Sequence, residues 1–263
     1  MRKIKIFIDP GHGGTDPGAV AHGLREKDLV LTIALALKRY LEQFENVEIM
    51  LSREDDRFLT LSQRTQMANA WGADIFISVH INAGGGAGFE TFIFNSSVST
   101  ATISNQHIIH AEIMKAIGGN DRGKKRANFA VLRTSNMPAI LTEAAFIDNA
   151  IDAVKLKDPR FIESVVRGHG EGIVKVFNLK PKQVNSSVAN QTKSQEDKEE
   201  EYFNMKLTQV ELSAVISALE DWTDETKHSH PLDKEWLEKA RKGELTIRNA
   251  VRLQYEARRR GIR

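Results

Sequence analysis

Residues 75–81 read IFISVHI, a short apolar run of the buried-strand type, and this run decides the fold class. Similar runs occur at residues 3–8 (KIKIFI) and 138–146 (PAILTEAAF). Weaker strand patterns lie at 47–51 and 89–94. These strands are spread along the chain, which leaves room for a crossover helix between most of them.

Helical spacing fills the intervals between the strands. An apolar residue recurs every four positions from Leu29 to Leu41 and predicts a helix over about 25–44. Further helices are predicted at 60–71, at 101–117 and at about 162–176. Strands that alternate with crossover helices predict an α/β fold, with a mostly parallel sheet that is flanked by helices on both faces.

Composition divides the chain into two domains joined by a linker. Residues 181–202 are polar and lack apolar periodicity, so they are predicted to be a linker between a domain at 1–180 and a module at 203–263. The module is helical by pattern throughout, which predicts a small all-α bundle. Its three helices are expected from a capping box at Thr208 and Glu211, from about Pro231 to Gly243, and from about Thr246 toward Arg260.

The overall composition excludes several classes of protein. The chain has 263 residues, of which 41% are hydrophobic and 27% charged, as in soluble globular proteins. The absence of cysteine excludes a disulfide scaffold, a thiolate zinc finger and a cysteine nucleophile. A net charge of +2 gives no nucleic-acid footprint, and no apolar run is long enough for a transmembrane segment. The N-terminus lacks the longer apolar region of a signal peptide, so we expect synthesis in the cytoplasm without one.

Unusual polar residues stand where the predicted strands end. His12 follows the first strand in a glycine-rich loop, His80 closes the second buried strand, and Glu143 lies inside the late apolar strand. Glu26 begins the first long helix, at the same predicted edge of the sheet. Each residue alone fits a structural role, but together the two imidazoles and a carboxylate suit Zn²⁺. The second carboxylate would then be free to act as a general base and acid.

Two other groups of polar residues have a simpler interpretation. His107 and His110 lie three residues apart on a predicted helix, where a solvated face is favoured over a metal pair. A basic cluster lies between the predicted helix at 101–117 and the last strand; it consists of Arg122, Lys124, Lys125 and Arg126. It is predicted to be a solvated loop, with an anionic polymer as its alternative partner.

Four motifs in order resemble the zinc-dependent N-acetylmuramoyl-L-alanine amidases of the amidase-3 family. They are IFIDPGHGGTDPGA, GLREKDLVL with Glu26, SVHINA, and PAILTEAAFIDN, and the resemblance covers about residues 3–178. It implies a sheet of about six strands, mostly parallel. It also implies hydrolysis of the amide that joins the lactyl group of N-acetylmuramic acid to L-alanine in peptidoglycan.

The resemblance assigns roles residue by residue. It implies that His12, Glu26 and His80 bind one Zn²⁺ and that Glu143 is the catalytic carboxylate. Four more residues stand in family-like contexts and are expected to bind or position the substrate: Asn82, Arg53, Arg64 and Glu90. A structural role for the last of them is an equal alternative. No ligand position departs from the family pattern, so an active enzyme is expected.

The biological setting follows from the expected lack of a signal peptide. A phage endolysin that reaches the wall of a Gram-positive host through holin-type membrane holes is favoured over a sporulation or autolytic amidase that is freed when the mother cell lyses. A catalytically silent peptidoglycan-binding regulator and a zinc peptidase acting on the stem peptide are rival interpretations. For the C-terminal module, binding of a cell-wall polymer is favoured over an oligomerisation unit and a nucleic-acid-binding bundle.

Overall fold

The computed structural model describes residues 2–182, 216, 223, 234–246, 249 and 253. The chain divides into two compact units, Met1–Lys182 and Gln183–Arg263. None of the helices within the described residues has an apolar stretch of the length that a bilayer requires.

A six-stranded sheet forms the centre of the first unit, with strand order β4-β1-β5-β8-β6-β7. All neighbouring strands pair in parallel except β6 and β8, which are antiparallel. The mostly parallel sheet of the sequence prediction is therefore confirmed. The strands are β1 (Ile4–Pro10), β4 (Val47–Leu51), β5 (Ile75–Asn82), β6 (Phe89–Phe94), β7 (Asp121–Ala127) and β8 (Ala139–Phe146), and a separate antiparallel pair consists of β2 (Val20–Ala21) and β3 (Leu24–Arg25).

Helices cover the sheet on both faces, as predicted. In the first unit they are α1 (Glu26–Leu41), α2 (Leu61–Trp71), α3 (Thr100–Ile117), α4 (Ala130–Arg133), α5 (Ala150–Lys157) and α6 (Pro159–Phe177). Capping explains several of their ends. Thr60 and Gln63 form a capping box at the start of α2, and Asp158 caps α6, which ends at Asn178 in the left-handed conformation.

The two faces of the sheet are covered unequally. The larger core lies beneath α1, α3 and α6 and contains Ile8, Ile77 and Val79. A smaller core beneath α2 and α4 contains Phe7, Phe76 and Leu141. Because side chains alternate along a strand, His80 and Glu143 lie on the face with the smaller core. That face therefore carries the polar site at the carboxyl ends of β5 and β8.

One predicted element was wrong. The basic cluster around Lys124 is the edge strand β7, which pairs with β6, and not a loop. An edge strand keeps one side in water, so charged side chains suit it and leave no apolar pattern in the sequence. The short α4 and α5 were also missed, because they offer too few turns for a periodic signal.

The region after residue 180 is described only in part. Pro181 bridges to Phe44, and the amide of Lys182 donates to the carbonyl of Gln43, so the first unit continues two residues past its predicted end. The rest of the predicted linker and most of the first and third tail helices lie outside the described residues. Within the predicted second tail helix the structure has α7 (Lys234–Arg241).

Candidate metal centre

The loop after β1 presents His12 in an unusual backbone conformation. Its φ is +59°, a left-handed value that costs a non-glycine residue conformational energy and is often found at functional sites. The preceding Gly11 has no room for a side chain, because a Cβ atom there would lie 2.2 Å from the ring of His80. The glycine therefore lets the loop pass close enough for the two imidazoles to meet.

Three side chains meet at this point. The Nε2 atom of His12 and the Nδ1 atom of His80 lie 3.2 and 2.9 Å from Oε1 of Glu26. One ligand atom from each of the three residues lies within 4.8 Å of the others. The structure thus brings together the two histidines and the carboxylate that the resemblance named as metal ligands. Two imidazole nitrogens and one carboxylate oxygen form a donor set suited to Zn²⁺.

The backbone orients Glu26 within this cluster. The amides of Ala19 and Ile81 donate to its Oε2 and Oε1 atoms at 2.9 and 3.0 Å. Burial opposes ionisation of Glu26, but hydrogen bonds from His12 and His80 outweigh burial and hold its pKa well below the usual range. The carboxylate is therefore ionised and fixed in direction, as a ligand must be.

His12 has a partner on the ring nitrogen that points away from the cluster. Its Nδ1 lies 2.8 Å from Oδ2 of Asp16, which also accepts the amide of Gly18 at Oδ1. Such a carboxylate fixes the tautomer and the orientation of a metal-binding histidine. Asp16 was not among the predicted site residues, although it stands four residues after His12 in a glycine-rich loop.

Arg53 and Arg64 lie beneath the loop, where they cannot meet a substrate. They are 2% and 3% exposed. The Arg53 guanidinium donates to the backbone carbonyls of Pro10, Gly11, Lys27 and Asp55. The prediction that these two arginines bind substrate needs correction, because their donors serve the protein itself.

Arg64 links the loop to a buried carboxylate. Its guanidinium donates to Oδ1 of Asp9 at 2.8 Å and to the carbonyls of Pro10 and His12. Asp9 also accepts hydrogen bonds from Ser52 and Ser78. This buried network fixes the backbone that carries His12, so both arginines position the site from below.

Glu143 lies directly beside the cluster, since it pairs with His80 in the register of β5 and β8. Its Oε2 atom is buried and has no hydrogen-bond partner within the described residues. Burial is the main cause that raises the pKa of Glu143 well above its ordinary value, and the charges of Glu26 and Glu90 add to the effect. A carboxyl group with a raised pKa, and with an oxygen that no described residue contacts by a hydrogen bond, suits acid and base catalysis.

Glu90 lies opposite Glu143 on the antiparallel strand β6. It is 4% exposed, and its Oε1 accepts from Asn82 at 2.7 Å. Its Oε2 accepts from Arg122 at 2.7 Å and from Lys125. Burial opposes ionisation, but these partners outweigh it and lower the pKa of Glu90. Their surroundings therefore shift the pKa values of Glu90 and Glu143 in opposite directions.

His110 does not share the solvated face that was predicted for it. It is 2% exposed and contacts Thr91 and Asp121 through its two ring nitrogens, at 2.9 and 2.8 Å. His107 is exposed, so the two histidines do not form a metal pair. The buried histidine instead joins α3 to β6 and β7.

Comparison with known proteins gives a consistent answer. Residues 6–175 match the N-acetylmuramoyl-L-alanine amidase (amidase-3) family. The sporulation-specific N-acetylmuramoyl-L-alanine amidase of Bacillus subtilis is 54% identical over 178 residues, which cover 67% of this chain and 69% of that protein. The endolysin of Bacillus phage SPP1 is 46% identical over 187 residues, which cover 69% of each chain.

The fold agrees with solved structures. The catalytic domain of CwlV, an N-acetylmuramoyl-L-alanine amidase from Bacillus (Paenibacillus) polymyxa, has a TM-score of 0.64 at 34% identity. The match covers 67% of this chain and 99% of that one. The match in family, sequence and fold spans the same residues that build the cluster of His12, Glu26 and His80 with Glu143 beside it. The chain belongs to the N-acetylmuramoyl-L-alanine amidase family and is a peptidoglycan amidase.

Proposed function

We propose that the chain is a zinc-dependent hydrolase of the amide between the lactyl group of N-acetylmuramic acid and L-alanine. The observation that carries the proposal is the convergence of His12, Glu26 and His80 next to an oxygen of Glu143 that no described residue contacts by a hydrogen bond. Zinc bound by the three ligands would polarise the amide carbonyl and lower the pKa of a coordinated water.

The chain's own residues supply the proton transfers. Glu143 takes a proton from the attacking water at Oε2 as the water oxygen bonds to the lactyl carbonyl carbon. It delivers that proton to the nitrogen of L-alanine as the carbon–nitrogen bond breaks, which leaves a lactyl carboxylic acid and a free amine. The acid then loses its remaining proton to solvent. The raised pKa of Glu143 suits both halves of this exchange.

Product analysis tests the reaction. Purified Gram-positive peptidoglycan is digested with the wild-type chain, with the wild-type chain plus a chelator, and with Glu143→Ala. We expect new amino termini that are L-alanine only, and none in the two control digests. Other new N-terminal residues would identify a peptidase, and wall binding without released amine would favour the silent regulator.

We further propose that the enzyme reaches the wall only after release from the cell that makes it. The relatives support a phage endolysin and a sporulation amidase equally, since one relative of each kind is similar over the same part of the chain. Production of the chain in growing Gram-positive cells separates them. Rapid lysis after a pore-forming agent is added supports the endolysin, whereas activity that is confined to mother-cell walls supports the sporulation enzyme.

We also propose that residues 203–263 bind a cell-wall polymer. A tethered binding module raises the local concentration of its catalytic partner at the wall. The first unit ends at Lys182, so residues 1–182 can be compared with the full chain. We expect equal rates on soluble fragments and a lower rate for the shorter chain on intact walls. Equal rates on both substrates would exclude targeting by the module.

A further inference from the structure

The basic cluster on β7 divides between the two faces of the sheet. Arg122 and Lys125 both contact Oε2 of Glu90, on the face that carries His80 and Glu143. Lys124 is exposed and pairs in register with Thr91, whose side chain belongs to the opposite face. Only half of the cluster therefore faces the reaction site.

The two cations beside Glu90 are built into place. Glu90 is 4% exposed, and the Arg122 guanidinium also lies 4.7 Å above the ring of Phe146, at the end of β8. The side chains of Arg122 and Lys125 are 33% and 37% exposed, so both remain open to a ligand. The buried carboxylate and the ring hold the open cations in a defined position.

These two cations have hydrogen-bonding capacity to spare. A guanidinium has five N–H donors and an ammonium has three. Among the described residues, the side-chain hydrogen bonds of Arg122 and Lys125 go only to Glu90. Two positive charges against one carboxylate leave an excess of one positive charge at the edge of the site, which a second carboxylate would neutralise.

We infer that Arg122 and Lys125 bind a carboxylate of the substrate's stem peptide, at the residue that follows L-alanine. This inference rests on the proposed function. Two strand spacings of about 4.8 Å separate β5, which carries His80, from β6, which carries Glu90. Two residues of extended peptide cover about 7 Å of that distance of about 10 Å. Arg122 extends back over Glu90 and over the ring of Phe146 on β8, which brings its guanidinium nearer to the scissile amide. The residue after L-alanine is thus within reach when the scissile amide lies beside His80 and Glu143.

Such a contact would make the enzyme selective for the charge of the second stem residue. A free acid at this residue carries the negative charge that the two cations would bind, and its amide does not. The amide keeps one accepting oxygen but lacks the negative charge and the second accepting oxygen of the acid. Loss of this ion pair corresponds to a preference of roughly ten- to a hundredfold in kcat/KM. Arg122 and Lys125 would therefore determine which walls the enzyme cleaves fastest.

The test uses two soluble glycan-peptide substrates that differ only in the acid or amide at that position. For the zinc-loaded full chain we expect an acid-to-amide ratio in kcat/KM of roughly ten or more. Arg122→Gln and Lys125→Gln should each move the ratio toward one. Arg122→Lys should retain part of it, because the charge stays but the planar fork is lost. The matched control is Lys124→Gln, which removes a charge from the other face of the same strand and should keep the ratio of the wild type.

A second measurement separates binding from turnover. Calorimetry with the inactive Glu143→Ala chain should show tighter binding of the acid than of the amide, and Arg122→Gln added to that chain should remove the difference. A wild-type ratio near one, or a ratio that neither Arg122→Gln nor Lys125→Gln changes, would overturn the inference while leaving the proposed reaction intact. Failure to cleave either substrate would overturn the proposed function and the inference with it.

Discussion

The β1 side of the site and the β8–β6 side use buried charges differently. Beneath His12, the carboxylate of Asp9 is satisfied by Arg64 and two serines, and Arg64 also holds the loop carbonyls. On the other side, Glu143 has an oxygen with no hydrogen-bond partner among the described residues. The carboxylate of Asp9, with its hydrogen bonds made, can only position its neighbours. The carboxyl group of Glu143 keeps an acceptor that a substrate or water can use.

The largest expected effect comes from a change at Glu143. Glu143→Gln keeps the shape of the side chain but cannot exchange a proton, so we expect a loss of about 10³-fold or more in kcat. Zinc content, measured on the purified protein, should stay near one per chain, because Glu143 is not among the three converging ligands. A variant that lost zinc together with activity would instead place Glu143 in the ligand set.

We expect a loss of stability when the buried pair of Arg64 and Asp9 is broken. Arg64→Met leaves the buried carboxylate of Asp9 without its charged partner, and breaking such a pair costs about 3–5 kcal/mol. Urea denaturation measures this change in the free energy of unfolding. Arg57→Gln is the matched control, because it breaks an exposed pair with Asp55 and should not change stability measurably. Equal effects of the two variants would show that burial of the pair is unimportant.

Asp16 is half-exposed, and it affects the metal centre through its contact with His12. Asp16→Asn removes the charge that orients the imidazole, and we expect zinc affinity to fall about 10- to 100-fold. Competition with a chromophoric chelator measures the dissociation constant. An unchanged constant, with an unchanged melting temperature, would mean that the backbone alone orients His12.

Sequence patterns were sufficient wherever the apolar signal was strong. The strands at Ile75–Asn82 and Ala139–Phe146 and the helix that Glu26 begins lie where predicted, because each buries an apolar face. The edge strand β7 buries almost none of its side chains, so its sequence resembles a loop.

Part of the site was predictable because its residues stand at the ends of strongly apolar strands. Histidines and carboxylates at strand ends indicate a cluster, since the topology brings strand ends together. The roles of Arg53, Arg64 and Asp16 depend instead on a loop with left-handed residues, including His12 itself. Spacing in the sequence does not specify which carbonyl or ring nitrogen such a loop presents.

The smallest expected effect is a gain in stability from the same variant that removes activity. Folding raises the pKa of the Glu143 carboxyl group above its ordinary value of 4.5. As the pH rises above 4.5, the group ionises in the unfolded chain more readily than in the folded one. The free energy of unfolding therefore falls until the pH reaches the folded pKa. In chelator, Glu143→Gln should therefore melt above the wild type at pH 7.5, where each 1 kcal/mol of relieved cost raises the melting temperature by roughly 2–4 °C in a domain of this size. At pH 4 the difference should disappear, because the wild-type carboxyl is then largely protonated in both states. A difference that stays constant between the two pH values would show that the gain comes from packing. Glu143 would then resemble Asp9, a buried carboxyl group with a structural role.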